Sequence, residues 1–286
     1  MKIGFNMLLW TPFVTEEHYP TFERLKETGY DGVEIPLFNG APSHYEKVGA
    51  VLKDCGLGCT AVTVIPDKAH NPISADEKDR AGALEYLGWA VDCCEALGAD
   101  VLCGPWYQPL GVFSGQGPTE EERCLAAEVH RNVAERARRA NVLLAIEPLN
   151  RFECYFLNTL RDAAAYAERV GHPNFKAMYD TFHGNIEEKD PVGCIGEYGA
   201  ALGHFHVSAS DRGTPGRDHV AWAETFRVLR ASGYDGWLTI EAFGRAMPDL
   251  AATTCVWRDL SRSSEEVYEM GYELISRGWR GEGLDA

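Results

Sequence analysis

The feature that most constrains the fold of this chain is a regular alternation of short apolar runs with longer segments of helical periodicity. Between the runs, apolar residues recur every three or four positions, as at Leu84, Leu87 and Val91, which is typical of an amphipathic helix. The eight runs, each read as a strand, are residues 2–7, 32–36, 59–64, 100–104, 142–147, 175–180, 204–208 and 237–241. Strands that alternate with helices form βαβ units, and these assemble into a parallel sheet.

The number of units and the length of the chain indicate how that sheet is arranged. Eight units within 286 residues fit a closed (β/α)₈ TIM barrel, and we expect residues 1–286 to form a single domain of this kind. The alternative is an open, doubly wound α/β sheet. It is less favoured because no Gly-x-Gly-x-x-Gly sequence follows the first strand, where such sheets often bind a dinucleotide.

Charge, cysteine content and the absence of long apolar runs narrow the classes of function. The formal net charge is −16, which disfavours nucleic acid and anionic membranes as partners. The nine cysteines include no Cys-x-x-Cys pair, and we interpret all nine as small buried apolar residues. The first residues lack the cleavage site of a signal peptide, and no run reaches the ~18 apolar residues of a membrane span. We therefore expect a cytoplasmic protein.

Four consecutive predicted strands each end in a side chain that can bind a metal ion, and these are Glu147, Asp180, His206 and Glu241. Strands that are neighbours in a barrel would bring these ends close together at one mouth. Buried ionised groups are costly unless they are paired or bound to a metal. Three carboxylates and one imidazole suit Mn²⁺, Mg²⁺ or Co²⁺ better than structural zinc, which favours Cys and His.

Several segments around these residues resemble the ketose 3-epimerases, which include the D-tagatose and D-psicose 3-epimerases of the xylose-isomerase-like superfamily. The segments are Glu-Pro-Leu-Asn-Arg-Phe-Glu (147–153), Tyr-Asp-Thr-Phe-His-Gly-Asn-Ile-Glu-Glu (179–188), Gly-His-Phe-His (203–206), Gly-Tyr-Asp-Gly-Trp-Leu-Thr-Ile-Glu-Ala-Phe (233–243) and Val-Trp-Arg-Asp-Leu (256–260). The likeness is strongest from about residue 142 to residue 260.

The resemblance implies a carbohydrate isomerase that inverts carbon 3 of a free ketose. It implies that Glu147, Asp180, His206 and Glu241 bind the metal, most simply Mn²⁺, with Co²⁺ and Mg²⁺ as alternatives. Glu147 and Glu241 would also be the two acid/base groups on either side of an enediolate. The same resemblance assigns substrate binding to Glu153, His183, Arg212, Trp106 and Phe243. It further implies a small-molecule sugar as partner and a homodimer or homotetramer.

The sequence also departs from the family pattern after the seventh strand. The epimerases carry His-x-Gly-Glu-x-x-Arg there, whereas this chain has Ser208 and Ala209 in place of the Gly and the Glu. This leaves other reactions of the superfamily open: inosose dehydration, aldose–ketose isomerisation, and action on 3-keto sugars or glycosides. A non-catalytic sugar-binding barrel is the remaining alternative. We interpret Glu34, at the end of the second strand, as a supporting or structural group.

Overall fold

Eight parallel strands close into a barrel in the computed structural model of this chain, which describes residues 1–284. Each strand pairs with the next one in the sequence, and β1 also pairs with β8 to close the ring. The strands are β1 (Lys2–Asn6), β2 (Gly32–Pro36), β3 (Gly58–Val62), β4 (Val101–Gly104), β5 (Leu143–Ile146), β6 (Phe175–Asp180), β7 (Leu202–Val207) and β8 (Trp237–Ile240). The predicted barrel is confirmed, and no predicted strand end differs from the observed one by more than two residues.

Helices connect the strands and cover the outside of the barrel. They are α1 (Tyr19–Thr28), α2 (Pro42–Asp54), α3 (Glu77–Leu97), α4 (Glu120–Arg139), α5 (Leu160–Val170), α6 (Thr181–Glu187), α7 (Gly193–Tyr198), α8 (Trp222–Ala231), α9 (Pro248–Thr253) and α10 (Ser264–Arg280). The start of α4 illustrates how the sequence sets a helix end. The hydroxyl of Thr119 accepts from the N–H of Glu122, and the Glu122 carboxylate accepts from the N–H of Thr119. These reciprocal bonds satisfy main-chain donors that the first helical turn leaves unpaired.

The main apolar core lies between the strands and the helices, and the inside of the barrel is partly polar. Alternate residues of a strand point to opposite faces. In β7 this places Phe205 and Val207 in the apolar core, while His204 and His206 face the barrel interior, where they meet Glu34. A layer of buried polar side chains therefore lies inside the barrel.

The structure corrects the expectation that all nine cysteines are buried. Six are buried, but Cys55 is half-buried and Cys124 and Cys255 are exposed; each of the nine is a free thiol within residues 1–284. Cys124 is exposed because it lies in α4 near Glu120, on the side of the helix that faces solvent. As for membrane spans, none of the helices among residues 1–284 combines the length and the apolar composition needed to cross a bilayer.

Candidate active site

The four predicted metal ligands converge at the carboxyl-terminal mouth of the barrel. Asp180 ends β6, His206 lies near the end of β7, and Glu147 and Glu241 directly follow β5 and β8. One donor atom from each side chain lies within 4.8 Å of the donor atoms of the others, and all four side chains are buried. Asp180 and His206 are directly opposite each other in the pairing of β6 with β7. The closed barrel thus produces the cluster that the strand-end pattern predicts.

Asp180 is oriented by the helix that begins immediately after it. As the N-cap of α6, it accepts a hydrogen bond from the main-chain N–H of Phe182 to Oδ1 at 2.6 Å. Its other oxygen, Oδ2, faces the cluster and accepts from the Ser208 hydroxyl at 3.0 Å. The capping bond therefore fixes which carboxylate oxygen is presented to the site.

Two unpartnered atoms show that the cluster fits a divalent cation. Among the described residues, nothing forms a hydrogen bond with Glu147 Oε1 or with His206 Nδ1, although both atoms are buried. Buried polar atoms are otherwise nearly always paired. Three carboxylates with one imidazole nitrogen are the ligand types that Mn²⁺, Co²⁺ and Mg²⁺ accept. The donor set and its two unpartnered atoms are those expected of ligands to a cation of this kind.

Arg212 inserts its guanidinium group among the acidic side chains. Its Nη1 atom donates to Asp180 Oδ2 at 2.8 Å and to Glu241 Oε2 at 2.6 Å. The guanidinium carbon lies 4.1 Å from the ring centroid of Phe182 and 5.0 Å from that of Phe243, so the cation also rests on two aromatic faces. The main chain of Arg212 has a φ of 69°, a left-handed conformation uncommon for residues other than glycine. The loop after β7 adopts this strained conformation at the residue that neutralises the cluster.

His183 and Glu153 lie beside the cluster, as the family resemblance implies. The main-chain N–H of Asn150 donates to His183 Nδ1 at 3.1 Å, and His183 Nε2 lies 3.7 Å from Glu147 Oε1. Burial, reinforced by the charge of Arg212, lowers the pKa of His183 to about 3, so its imidazole is neutral. Glu153 is half-buried and accepts from the Asn150 side chain at 2.7 Å.

The pKa values of Glu147 and Asp180 are shifted in opposite directions. Burial raises the pKa of the Glu147 carboxyl well above its usual range, and the nearby Glu241 carboxylate adds to the rise. Burial acts in the same direction on Asp180, but the charge of Arg212, with the nearby His206, holds its pKa well below the usual range. The centre is therefore an electrostatically strained group of acids in which Arg212 supplies a compensating positive charge.

A cavity of about 340 Å³ opens above the cluster, which is within the size range of small-molecule sites. Glu147, Glu153, His183, Arg212, Glu241 and Phe243 line it, and Leu8, Phe38, Val62, Val64, Leu110 and Leu250 form an apolar wall. All six of the polar and aromatic residues named here were predicted as site residues, and the structure places them around one cavity.

Trp106 is the predicted substrate-binding residue that the structure does not bring to the cavity. Its indole is 1% exposed and packs edge-on against the rings of His130 and Phe175, with centroids 5.1 Å and 5.5 Å away. It is not among the described residues that line the cavity; the adjacent Pro105 is. Burying the large apolar ring in the space beside α4 and β6 is more favourable in free energy than leaving it in the pocket.

Some residues at the site were not singled out by the sequence pattern. Asn6 donates from Nδ2 to Glu241 Oε1 at 3.0 Å, and Ser208 donates to Asp180. Asp249, Leu250, Thr253 and Thr254, from α9 and the residue after it, line the outer part of the cavity. The one feature of the sequence that could have indicated Asn6 is that it is a polar residue at the end of the apolar first strand.

Comparison with known proteins places these features in a family. The family model described as a xylose isomerase-like TIM barrel matches residues 22–266. The ketose 3-epimerase of Arthrobacter globiformis is 33% identical over 93% of this chain and 93% of its own length.

Two solved structures closely resemble this one over nearly their whole length. A D-allulose 3-epimerase from Methylomonas sp. in complex with D-allulose is 28% identical, with a TM-score of 0.90 over 97% of this chain and 96% of that one. A D-psicose 3-epimerase from Clostridium cellulolyticum H10 with D-tagatose is 26% identical, with a TM-score of 0.88 over 99% of both chains.

Proposed function

Since this chain belongs to the xylose isomerase-like TIM barrels and, among them, to the ketose 3-epimerases, we propose that it inverts the configuration at carbon 3 of a free ketose. The single observation that carries the proposal is the convergence of Glu147, Asp180, His206 and Glu241 within 4.8 Å at the floor of a sugar-sized cavity. Glu147 and Glu241, the two residues that would transfer protons, both line that cavity.

The charge of the cavity favours an unphosphorylated sugar. Arg212 is the single Arg or Lys among the described residues that line it, and its Nη1 is already bound to Asp180 and Glu241. The outer part carries the carboxylate of Asp249 and an apolar wall rather than basic side chains. A phosphate group would meet repulsion there and no free cation, so a neutral ketose is the better fit.

Glu147, Asp180, His206 and Glu241 would hold a divalent cation, for which we propose Mn²⁺. When bound, such a cation supplies Lewis-acid stabilisation of the negative charge that develops on the substrate oxygens. The surrounding residues orient the ligands. The Ser208 hydroxyl and the N-cap bond fix Asp180, and Asn6 fixes Glu241.

Glu147 and Glu241 are the proposed proton-transfer groups. They follow β5 and β8, on opposite sides of the segment of the mouth that β6 and β7 occupy. A sugar seated between them presents one face of carbon 3 to each carboxylate. One glutamate removes the carbon-3 proton to leave a planar enediolate, and the other returns a proton to the opposite face. Two carboxylates on two faces account for inversion, which a single base would not.

Glu153, His183 and Arg212 are proposed to position the sugar hydroxyls near the reacting carbons. His183 is neutral and presents Nε2 next to Glu147, and Glu153 adds an acceptor at the cavity edge. Arg212 donors and the Phe243 ring complete the wall beside Glu241. Fixed donors and acceptors of this kind hold a substrate in the reactive orientation.

The test is to incubate the Mn²⁺-loaded protein with D-fructose, D-tagatose and D-ribulose, and to follow the products by NMR in D₂O. We expect the carbon-3 epimer to form, with solvent deuterium incorporated at carbon 3. The corresponding ketose phosphates should react more slowly. If no ketose exchanges its carbon-3 proton, the proposal is wrong, and a product with a new carbonyl pattern would instead indicate a dehydratase.

A further inference from the structure

A buried carboxylate lies directly beneath the candidate metal centre, in the barrel interior. Glu34, on β2, is 0% exposed and accepts hydrogen bonds from the side chains of Asn6 on β1, at 2.9 Å, and Thr60 on β3, at 2.8 Å. These three residues are register partners across the neighbouring strands. An ionised group at this depth needs several donors to be stable, and the adjacent strands provide them.

Glu34 also contacts one of the proposed metal ligands. Its Oε1 atom lies 2.8 Å from His206 Nε2. The other ring nitrogen, Nδ1, is 3.5 Å from Asp180 Oδ2 and 3.5 Å from Glu241 Oε2, and no described residue forms a hydrogen bond with it. A carboxylate can only accept, so the proton of the neutral imidazole lies on Nε2 and the lone pair lies on Nδ1. The ring is thereby held in the tautomer that a metal ligand requires.

Asn6 connects the same carboxylate to a second ligand. Its Nδ2 atom donates to Glu34 Oε1 at 2.9 Å and to Glu241 Oε1 at 3.0 Å. Its side-chain oxygen accepts from the N–H of Leu8 at 2.9 Å, which fixes the orientation of the amide. Glu34 therefore supports His206 directly and Glu241 through Asn6, from strands that supply no ligand themselves.

We propose that Glu34 is a positioning residue for the metal centre: it orients the His206 ring, so that Nδ1 is presented as a ligand atom among the three carboxylates. The inference rests on the proposed metal-dependent function. Partners of this kind behind a ligating histidine typically contribute about 10–100-fold to metal affinity. Glu34 does not touch the substrate cavity, so its effect reaches catalysis through the metal site.

The same residues could instead form a second cation site, and the experiment must distinguish that site from the positioning role of Glu34. Donor atoms of Glu34, Cys103, His204 and His206 also lie within 4.8 Å of one another and would be a second cation site sharing His206. The occupied acceptors of Glu34 argue for the hydrogen-bonded role, because Asn6, Thr60 and His206 already contact its two oxygens.

The experiment compares wild type, Glu34→Gln and a matched control, Thr239→Val. Thr239 is a buried interior residue of β8 opposite His206 in the strand pairing, and its hydroxyl has no hydrogen-bond partner among residues 1–284. Each protein is stripped with chelator and titrated with Mn²⁺ by calorimetry, and the bound Mn²⁺ is examined by EPR. The number of ions per chain is measured by elemental analysis.

We expect Glu34→Gln to raise the Mn²⁺ dissociation constant by about 10–100-fold and to change the EPR spectrum, with one ion per chain. Thr239→Val should retain wild-type affinity. Unchanged affinity in Glu34→Gln would overturn the inference even if its melting temperature fell, and so would equal losses in both variants. Two ions per wild-type chain, one of them lost in Cys103→Ala, would assign Glu34 to a second cation instead. A wild-type protein that binds no Mn²⁺ would overturn the metal-dependent function itself.

Discussion

The Nη1 atom of Arg212 donates to Glu241 Oε2 at 2.6 Å, so an arginine is paired with a residue proposed to bind a metal and to transfer a proton. The same nitrogen contacts Asp180. A bound cation and the guanidinium would compensate the same negative charges, and their contributions to stability should therefore overlap rather than add.

Replacing Arg212 with Met tests this overlap. In chelator, the variant leaves buried carboxylates without their cation, which costs about 3–5 kcal/mol and should lower the melting temperature by on the order of 10 °C. In saturating Mn²⁺ the deficit should shrink, because the metal supplies the missing charge. Differential scanning calorimetry with and without Mn²⁺ measures both values. The surface variant Arg138→Met is the control and should leave the melting temperature nearly unchanged in both conditions, because exposed ion pairs contribute little to stability. An equal loss in both conditions would contradict the overlap.

The two proposed proton-transfer residues should be separable by isotope exchange. Glu147→Gln and Glu241→Gln should each slow net epimerisation by about 10²–10⁴-fold. Each variant retains one base, which can still remove and return the proton on its own face of the sugar. Glu147→Gln should therefore exchange deuterium into one carbon-3 epimer and Glu241→Gln into the other, as followed by proton NMR in D₂O. Exchange into both epimers by a single variant would show that one base serves both faces.

Gly104 links the barrel to the position of Glu147. It ends β4 with a φ of 125°, and a Cβ atom added there would lie 2.2 Å from the carbonyl oxygen of Thr63. Its own carbonyl accepts the main-chain N–H of Glu147 at 3.0 Å. We expect Gly104→Ala to reduce the free energy of unfolding by about 3 kcal/mol or more, and to reduce activity because the Glu147 main chain must shift. Urea denaturation and turnover measure the two effects.

Gly98→Ala is the matched control for Gly104→Ala. Gly98 also has a positive φ, 77°, but an added Cβ would meet no atom of the described residues within 4 Å. The free energy of unfolding of Gly98→Ala should therefore fall only by the cost of a left-handed backbone at a residue with a Cβ atom, about 1–2 kcal/mol. This variant should keep full activity. If the two variants lost equal stability and equal activity, the close contact with Thr63 would not be the cause.

Buried His130 should make the protein less stable in acid. Burial lowers its pKa to about 3 from an ordinary value of 6.5. Between these values the unfolded chain binds a proton that the folded chain does not. Stability is thus fully present above pH 6.5 and is lost as the pH falls towards 3, with a slope of up to about 1.4 kcal/mol per pH unit from this group. His183 contributes in the same direction.

The variant His130→Gln should make this slope shallower by up to the contribution of one proton. Tyr166→Phe is the control, because it removes the hydroxyl that contacts His130 Nδ1 but leaves the histidine in place. It should lower stability while keeping the steep pH dependence. Urea denaturation at several values between pH 4 and pH 7 gives the slopes, and equal slopes for wild type and His130→Gln would disprove the assignment.

The barrel and the convergence of the four proposed metal ligands were predictable because each depends on a pattern that repeats along the chain. A strand-end acid or histidine in four successive units needs no tertiary information once the units are known to close into a ring. Arg212 and His183 came from family resemblance, since a single loop residue carries no periodic signal. The inward position of Asn6, the packing of Trp106 away from the cavity and the contribution of α9 could not be predicted. They depend on side-chain directions and on a six-residue helix that carries no clear periodicity.

The closure of the ring between β1 and β8 has a consequence for how the protein matures. All four proposed ligands are translated after Asn6 and Glu34, which hold two of them in place. A nascent or truncated chain that lacks β8 and the residues after it has neither Glu241 nor the β1–β8 pairing that brings Asn6 beside it. Tight metal binding should therefore be a late event in biogenesis, which follows the pairing of β1 with β8.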